Sequence, residues 1–191
     1  MTTAHRPIRV TAVVGSRAPH SLTTTVTYTV IKTLKTTGVI TAYHPVQVLD
    51  LGADRDRASR GRRGMQPPDP VPLIRAADLL IVASPSYLGT YSGVLKALLD
   101  DLGPMSLHGI VTIAISVEAN RRTGTGRQLQ KLLDQLGAVL LTPPLIITQP
   151  EDPQHCITRW ATAHTDVLLQ TLAEQDPCLP AQRHASLPDD S

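Results

Sequence analysis

The segment 15–21 carries groups whose types suit a phosphate. It reads Gly-Ser-Arg-Ala-Pro-His-Ser and stands between an apolar run and a segment of helical periodicity. Main-chain N–H groups at a helix start, together with hydroxyls, form an anion site, to which Arg17 adds a charge-assisted hydrogen bond. A second interpretation stays open, because Ser21 is also a good N-cap for the next helix. The place after the first strand of an α/β sheet favours phosphate.

Other familiar chemistries are not indicated. The phosphate-binding pattern GxxxxGK[ST] is absent, and the first apolar run does not lead into GxGxxG. The nearest stretch, Gly124-Thr125-Gly126, comes after the fourth run and has Leu129 where the third glycine belongs. A classical NAD-binding Rossmann domain is therefore not expected. The seven histidines are isolated, with no HExxH pair, so no metal site is predicted. No GxSxG elbow supports a hydrolase.

Five apolar runs alternate with helical segments and must position these groups. Almost continuously apolar strands alternating with helices are typical of a doubly wound parallel α/β sheet with helices on both faces. The predicted strands are Ile8–Val14, Val46–Leu51, Asp78–Ser84, Ile110–Ser116 and Ala138–Thr148, the last interrupted by Pro143 and Pro144. The predicted helices are Ser21–Thr37, Leu73–Ala77, Ser92–Leu102, Gly126–Leu136 and Ile157–Leu172.

Length and composition indicate one globular domain. Of the 191 residues, positions 1–176 are assigned to this domain, and the proline-rich polar tail 177–191 is expected to be disordered. Segment 52–72, with arginines at 55–63 and prolines at 67–72, has no periodicity and is interpreted as a long mobile surface loop. A solvated loop is the favoured reading of its arginines.

The charge balance and the cysteines narrow the class of protein. Eighteen basic against 16 acidic residues give a net charge of +2, which does not indicate a nucleic-acid or membrane-surface binder. No apolar run approaches the roughly 20 residues of a membrane-spanning helix. Cys156 and Cys178 match no metal or disulfide spacing, so we expect reduced thiols and a cytoplasmic protein.

The segment after the third strand carries a longer and more specific motif. From Ser84 it reads Ser-Pro-Ser-Tyr-Leu-Gly-Thr-Tyr-Ser-Gly-Val-Leu-Lys-Ala-Leu-Leu-Asp. This run resembles the signature of the NAD(P)H-dependent FMN reductases, and its Thr-Tyr-Ser-Gly-x-Leu-Lys version is most similar to the alkanesulfonate type. The resemblance, which spans about Ile8 to Thr148, implies a flavodoxin-like fold with strand order 2-1-3-4-5. It also implies FMN and NAD(P)H as cofactors, and hydride transfer between them without a catalytic acid or base.

The residues of this segment suit a flat ring. Pro85 makes the turn rigid, Tyr87 can pack against the flavin, and Gly89 lets the main chain approach it. Amides from Ser86 to Thr90 can donate to the pyrimidine edge, which tunes the flavin's electronics. Gly93 is expected to permit close helix packing, and the residues at 96 and 100 to form a helical ion pair. The predicted cofactor-binding residues are Ser16, Arg17, Ser21, Thr23, Pro85, Ser86, Tyr87, Leu88, Gly89, Thr90, Ser116, Glu118 and Asn120.

This chain departs from the family pattern in two loops. The family usually writes Gly-Ser-x-Arg, whereas Arg17 follows Ser16 directly. Relatives often carry a glycine pair after the fourth strand, where this chain reads Ser-Val-Glu-Ala-Asn from Ser116. The next two residues, Arg121 and Arg122, either meet the phosphates of NAD(P)H or lie in a solvated loop.

Several functional alternatives stay open. The family resemblance implies a homodimer or homotetramer and a supply of reduced FMN to a partner monooxygenase. A second possibility is FMN kept as a prosthetic group that reduces quinones, azo dyes or chromate. A third is a flavodoxin-like electron carrier without catalysis, against which the sequence pI of about 8.7 speaks. The last is a flavodoxin-like fold that has lost its flavin.

Overall fold

Strands and helices alternate along the computed structural model, which describes residues 8–54, 69–120 and 123–174. The strands are β1 (Val10–Val14), β2 (Val46–Asp50), β3 (Leu79–Pro85), β4 (Val111–Glu118) and β5 (Leu145–Thr148). The helices are α1 (Leu22–Thr36), α2 (Pro70–Arg75), α3 (Gly93–Leu102), α4 (Thr125–Gln135) and α5 (Pro153–Glu174). A single helical turn, 51–54, follows β2.

The five strands form one parallel sheet in the order β2-β1-β3-β4-β5, which confirms the predicted fold class. In the register of the sheet, Val14 lies opposite both Asp50 and Ala83. The loops after β1, β2 and β3 therefore leave the sheet at the same level. This carboxyl edge is where ligands bind in open α/β sheets.

Two apolar cores cover the two faces of the sheet. On one face, α1 and α5 pack through residues such as Val30, Leu34 and Ile157. On the other face, α2, α3 and α4 pack through residues such as Leu95 and Leu129. Aliphatic side chains dominate both cores, as expected for a chain without phenylalanine.

Helix α1 is stabilised by packing, as its threonine content predicts. Val26, Val30 and Leu34 are buried at helical spacing. The hydroxyl of Thr27 donates to the carbonyl oxygen of Thr23 at 2.8 Å, one helical turn earlier. Such a bond satisfies the hydroxyl but adds little helix stability, so the buried aliphatic face keeps the helix in place.

All the elements differ from their predicted bounds by at least one residue, α5 by four at its start, and two of the differences have a clear cause. Helix α2 begins at Pro70, since the Asp69 carboxylate accepts the Val71 N–H at 3.0 Å and proline is favoured in a first helical turn. Residues 70–72 and 52–54 of the predicted loop 52–72 are therefore helical. Strand β5 begins only at Leu145, because the prolines before it cannot extend the ladder. Before them, Val139 makes an isolated bridge to Val111.

Three predictions concern regions that the structure leaves out. Residues 55–68, which include the arginine cluster, and the tail 177–191 lie outside the described residues. Arg121 and Arg122 do so as well. Within 8–54, 69–120 and 123–174, no helix is long and apolar enough to cross a membrane.

Candidate functional site

The loops after β1 and β3 touch each other at the carboxyl edge of the sheet. The N–H of Gly15 donates to the carbonyl oxygen of Ala83 at 2.7 Å. A Cβ at Gly15 would lie 2.7 Å from Cβ of Leu95 and 3.1 Å from Oγ of Ser92, both at the start of α3. Only glycine permits this approach, and it brings together the two segments in which the sequence predicts a phosphate site and a ring site.

The predicted cap at the start of α1 is present. The Ser21 hydroxyl oxygen accepts the Thr24 N–H at 3.2 Å, and the two side-chain oxygens lie 3.0 Å apart. The Thr24 hydroxyl donates to Oδ2 of Asp50 at 3.0 Å. Because a hydroxyl has one proton, Ser21 is the donor in the Ser21–Thr24 pair. Its hydroxyl is occupied by capping, and a direct contact with phosphate stays a prediction.

Asp50, at the end of β2, fixes the turn beside the first loop. Its Oδ1 accepts the N–H groups of Gly52 and Ala53, both at 3.1 Å. A Cβ at Gly52 would lie 2.9 Å from main-chain atoms of Ser16 and Ala18. Sequence reasoning missed Asp50, although an aspartate two residues before a glycine is a common turn signal.

Several main-chain donors of the first loop have no acceptor in the described part of the protein. They are the N–H groups of Arg17, Leu22 and Thr23. The side chain of Arg17 is exposed, whereas those of Ser16 and Thr23 are buried, and the Ser16 hydroxyl accepts the Ala18 N–H at 3.2 Å. Open amides at a helix start beside an arginine suit an anion.

The loop after β3 contains a tight hairpin turn that the sequence did not predict. Tyr87 and Thr90 exchange main-chain hydrogen bonds of 2.8 and 3.1 Å. Leu88 and Gly89 both have positive φ, at 51° and 82°, which is typical of a type I′ turn. Gly89 adopts this conformation without strain, whereas Leu88 does not.

This turn leaves fewer amides for a ligand than the sequence suggested. The N–H of Ser86 donates to the carbonyl oxygen of Val117 at 2.8 Å, and those of Tyr87 and Thr90 close the turn. Among the described residues, no acceptor faces the N–H groups of Leu88 and Gly89. The side chain of Leu88 is fully exposed and that of Tyr87 is 41% exposed. The tip of the turn is therefore open to a ligand.

A buried serine holds the two ends of this loop together. The Ser84 hydroxyl donates to the carbonyl oxygen of Pro85 and accepts the N–H of Ser92, both at 2.9 Å. Ser92 in turn caps α3, because its Oγ accepts the Leu95 N–H at 3.2 Å. Sequence reasoning missed this role, although a serine before a helix is the usual signal for a cap.

Two smaller predictions for helix α3 had different outcomes. The ion pair between Lys96 and Asp100 is confirmed, one turn apart and partly exposed. The role given to Gly93 was wrong. Apart from its chain neighbours and the backbone of its own helix, no described atom lies within 4 Å of where its Cβ would be, so it does not serve close packing there.

The loop after β4 is organised around a buried carboxylate. Oε1 of Glu118 accepts the Ser116 hydroxyl at 2.7 Å and the Gly126 N–H at 2.9 Å, and its Oε2 accepts the Thr123 hydroxyl. Ser116 and Glu118 are almost completely buried, whereas Asn120 is exposed. Contacts of these three residues with a flavin stay a prediction. The hydrogen bonds of Ser116 and Glu118 described above all go to other residues of the protein.

The start of α4 contacts the loop after β3. The hydroxyl oxygens of Ser86 and Thr125 lie 2.7 Å apart. Nε2 of Gln128 donates to the carbonyl oxygen of Gly89 at 3.1 Å. Neither Thr125 nor Gln128 was predicted, because the sequence gives no signal for a contact across two loops.

Within the described ranges, no group of three or more acidic, histidine or cysteine side chains could hold a metal ion. A shifted pKa occurs at the other end of the sheet. Burial lowers the pKa of His44 below its usual value of 6.5, and the charge of Asp78 partly opposes this. His44 lies just before β2, so it belongs to neither candidate loop.

Comparison with known proteins decides the family. Residues 8–150 match the family described as NADPH-dependent FMN reductase. The chain belongs to this family. It is accordingly an NAD(P)H-dependent flavin oxidoreductase, as the motif after β3 indicated. No curated protein matches the chain.

Solved structures similar to this FMN reductase family member agree on the fold. An apo NADH:FMN oxidoreductase has 19% identity and a TM-score of 0.69, covering 90% of this chain and 92% of its own. An oxidoreductase from Corynebacterium diphtheriae has 20% identity and a TM-score of 0.67, covering 90% of this chain and 100% of its own. A flavodoxin, WrbA-like protein from Agrobacterium tumefaciens has 16% identity, a TM-score of 0.58, and coverages of 86% and 99%. These likenesses confirm the flavodoxin-like fold.

Proposed function

We propose that this protein binds FMN across the two touching loops and reduces it with NAD(P)H. The observation that carries the proposal is the set of open main-chain donors on both loops. Those of Leu22 and Thr23 lie at the start of α1, and those of Leu88 and Gly89 lie at the tip of the hairpin turn. FMN has a phosphate at one end and a polar ring edge at the other, so both ends find donors.

At the first loop, the chain binds the phosphate. The first two amides of α1 carry the positive end of the helix dipole, and Arg17 supplies a full positive charge nearby. Asp50 holds the turn that packs behind the loop. Asp50 already accepts three hydrogen bonds, from the Thr24 hydroxyl and from the N–H groups of Gly52 and Ala53. Its carboxylate therefore does not accept the open N–H groups of Leu22 and Thr23, which stay available to the phosphate.

At the second loop, the chain orients the ring. The amides of Leu88 and Gly89 are fixed by the type I′ turn, which makes them preorganised donors. Tyr87, partly exposed beside them, offers its face for packing. When bound, FMN supplies the chemistry, since its ring accepts a hydride from the nicotinamide. No side chain is assigned as proton donor, and the protein contributes position.

The experiment is a titration of the purified protein with FMN, followed by absorbance at the flavin and nicotinamide bands. Addition of NADPH and, separately, NADH should produce steady nicotinamide oxidation in the presence of FMN. A protein that binds FMN but oxidises neither nicotinamide is an electron carrier. A colourless protein that ignores FMN contradicts the proposal.

We further propose that reduced FMN leaves for a flavin-dependent monooxygenase. The support is the resemblance of the Thr90–Lys96 segment to the alkanesulfonate type of reductase. Dialysis separates this from a prosthetic role. Flavin that is lost on dialysis supports supply to a partner. Flavin that stays stoichiometric, with quinone reduced in its presence, supports the prosthetic alternative.

A further inference from the structure

Helix α4 begins without a cap of its own. Its N-cap residue is Gly124, which has a φ of 67° and offers no side chain. The first amides of a helix need partners from outside it. Here Oε1 of Glu118 accepts the Gly126 N–H at 2.9 Å. A carboxylate at a helix N-terminus is also favoured by the helix dipole, so Glu118 replaces the missing cap from the end of β4.

The contact between Glu118 and the start of α4 is buried and tightly packed. Glu118 is only 2% exposed and is also bound by the hydroxyls of Ser116 and Thr123. A Cβ at Gly126 would lie 2.7 Å from Oγ of Ser116. Glycine at 126 therefore lets the helix start approach the strand end, and the carboxylate holds it there.

The start of α4 also holds the hairpin turn. Thr125 is hydrogen-bonded to Ser86 on the entry side of the turn. Gln128 donates to the carbonyl oxygen of Gly89 at the tip. Both contacts come from the first turn of α4, the part of the helix that Glu118 fixes. Glu118 is thus connected to the hairpin turn indirectly, through the start of α4.

We propose that Glu118 is a positioning residue for segment 86–90. Glu118 fixes the position of the first turn of α4. Thr125 and Gln128, which belong to that turn, hold the hairpin turn and so fix the position of the amides of Leu88 and Gly89. The effect on flavin affinity rests on the proposed function. The effect on the turn itself does not, because the contacts exist within the protein.

The test compares three variants with the wild type. Glu118→Ala removes the acceptor, whereas Glu118→Gln keeps one oxygen for Ser116 and Gly126. Its amide nitrogen would face the Thr123 hydroxyl, which can rotate to accept. Leu172→Ala is the matched control, since Leu172 is buried in the core on the other face of the sheet. It lowers stability without touching the network.

The first measurement is hydrogen exchange at segment 86–90 without flavin. In Glu118→Ala the amide protons of Tyr87 and Thr90, whose hydrogen bonds close the turn, should exchange faster, while Glu118→Gln and Leu172→Ala should behave like the wild type. The second measurement is FMN affinity, which we expect to fall about tenfold in Glu118→Ala and less than about threefold in Glu118→Gln. Unchanged exchange in a folded Glu118→Ala protein would overturn the positioning role.

Two further outcomes are decisive. If Glu118→Ala does not fold, the double variant Thr125→Val/Gln128→Ala, which retains Glu118, should show the same faster exchange; unchanged exchange there would overturn the route through α4. If the wild type does not bind FMN, the proposed function fails, and hydrogen exchange alone still decides whether Glu118 positions the turn.

Discussion

The starts of α1 and α4 both lie at the carboxyl edge of the sheet, and each receives a carboxylate from the end of a neighbouring strand. At α1, Asp50 binds the Thr24 hydroxyl and the turn amides, and the first helical amides stay open. At α4, Glu118 accepts the Gly126 N–H itself. The start of α1 is thus left open, where the proposed function places the phosphate, whereas the start of α4 is filled by the protein's own carboxylate.

The largest expected effect comes from breaking the α1 region at Gly52. In Gly52→Ala, the new methyl group would meet main-chain atoms of Ser16 and Ala18 at 2.9 Å. Main chain cannot move as a side-chain end can, so we expect a loss of about 1–3 kcal/mol in stability and of roughly 100-fold in FMN reduction. Thermal melts and steady-state kinetics measure the two. Gly93→Ala, with open space around it, should match the wild type.

The second prediction sharpens the roles at the α1 cap. In Ser21→Asp the cap is retained, because aspartate is an equally good N-cap, and a negative charge is placed beside the proposed phosphate. We expect FMN affinity to fall about tenfold or more. The melting temperature should fall modestly, because the Thr24 hydroxyl, which donates to Asp50, loses the donor that Ser21 supplies. Riboflavin, which has no phosphate, is the control ligand and should bind the variant as it binds the wild type. Equal losses for both ligands would contradict a phosphate site here.

The third prediction tests the contact between α4 and the turn. Gln128→Ala removes the bond to the Gly89 carbonyl, worth about 1 kcal/mol, and should weaken FMN binding a few-fold. Gln130→Ala is matched, since Gln130 makes a similar 2.9 Å bond from the same helix to Thr142, away from the turn. Calorimetric titration of both variants should separate them. Identical FMN affinities of the two variants would show that the hydrogen bonds between Tyr87 and Thr90 keep the turn in place without Gln128.

The smallest expected effect is a pH dependence of the free energy of unfolding. It belongs to the whole domain, so it should affect both helix starts equally. Burial lowers the pKa of His44, and its Nδ1 accepts the Thr41 N–H at 3.0 Å in the neutral form. The unfolded chain therefore binds a proton more readily, and stability should fall slightly as the pH decreases from about 6.5. Urea unfolding at pH 7.5 and 5.5 measures this. His44→Gln should reduce the slope.

The sequence predicted the sheet and the location of the candidate loops well. Apolar runs such as Ile110–Ser116 are long and continuous, so their burial follows from the sequence, and their parallel pairing follows from the helices that alternate with them. Helix α2 was placed three residues late, because its start depends on the Asp69 side chain rather than on apolar periodicity. The strand before Leu145 was too long, since two prolines end the ladder there.

The site was harder to predict because its contacts join residues far apart in the chain. Gly124 and Gly126 resemble a nucleotide motif, yet Gly126 serves close packing against Ser116. The bond from Gln128 to Gly89 spans 39 residues. No local pattern encodes such a pairing. The type I′ turn was missed for a different reason, since leucine is seldom found with a positive φ.

The chain contains one tryptophan. Its indole Nε1–H donates to the carbonyl oxygen of Pro143 at 3.2 Å, and its ring meets that of His164 edge-on. Trp160 thus joins α5 to the segment that leads into the edge strand β5. The fluorescence of this indole reports the attachment of the last helix, while a bound flavin absorbs visible light. Unfolding at that edge and loss of the ligand can therefore be recorded in one sample at two wavelengths.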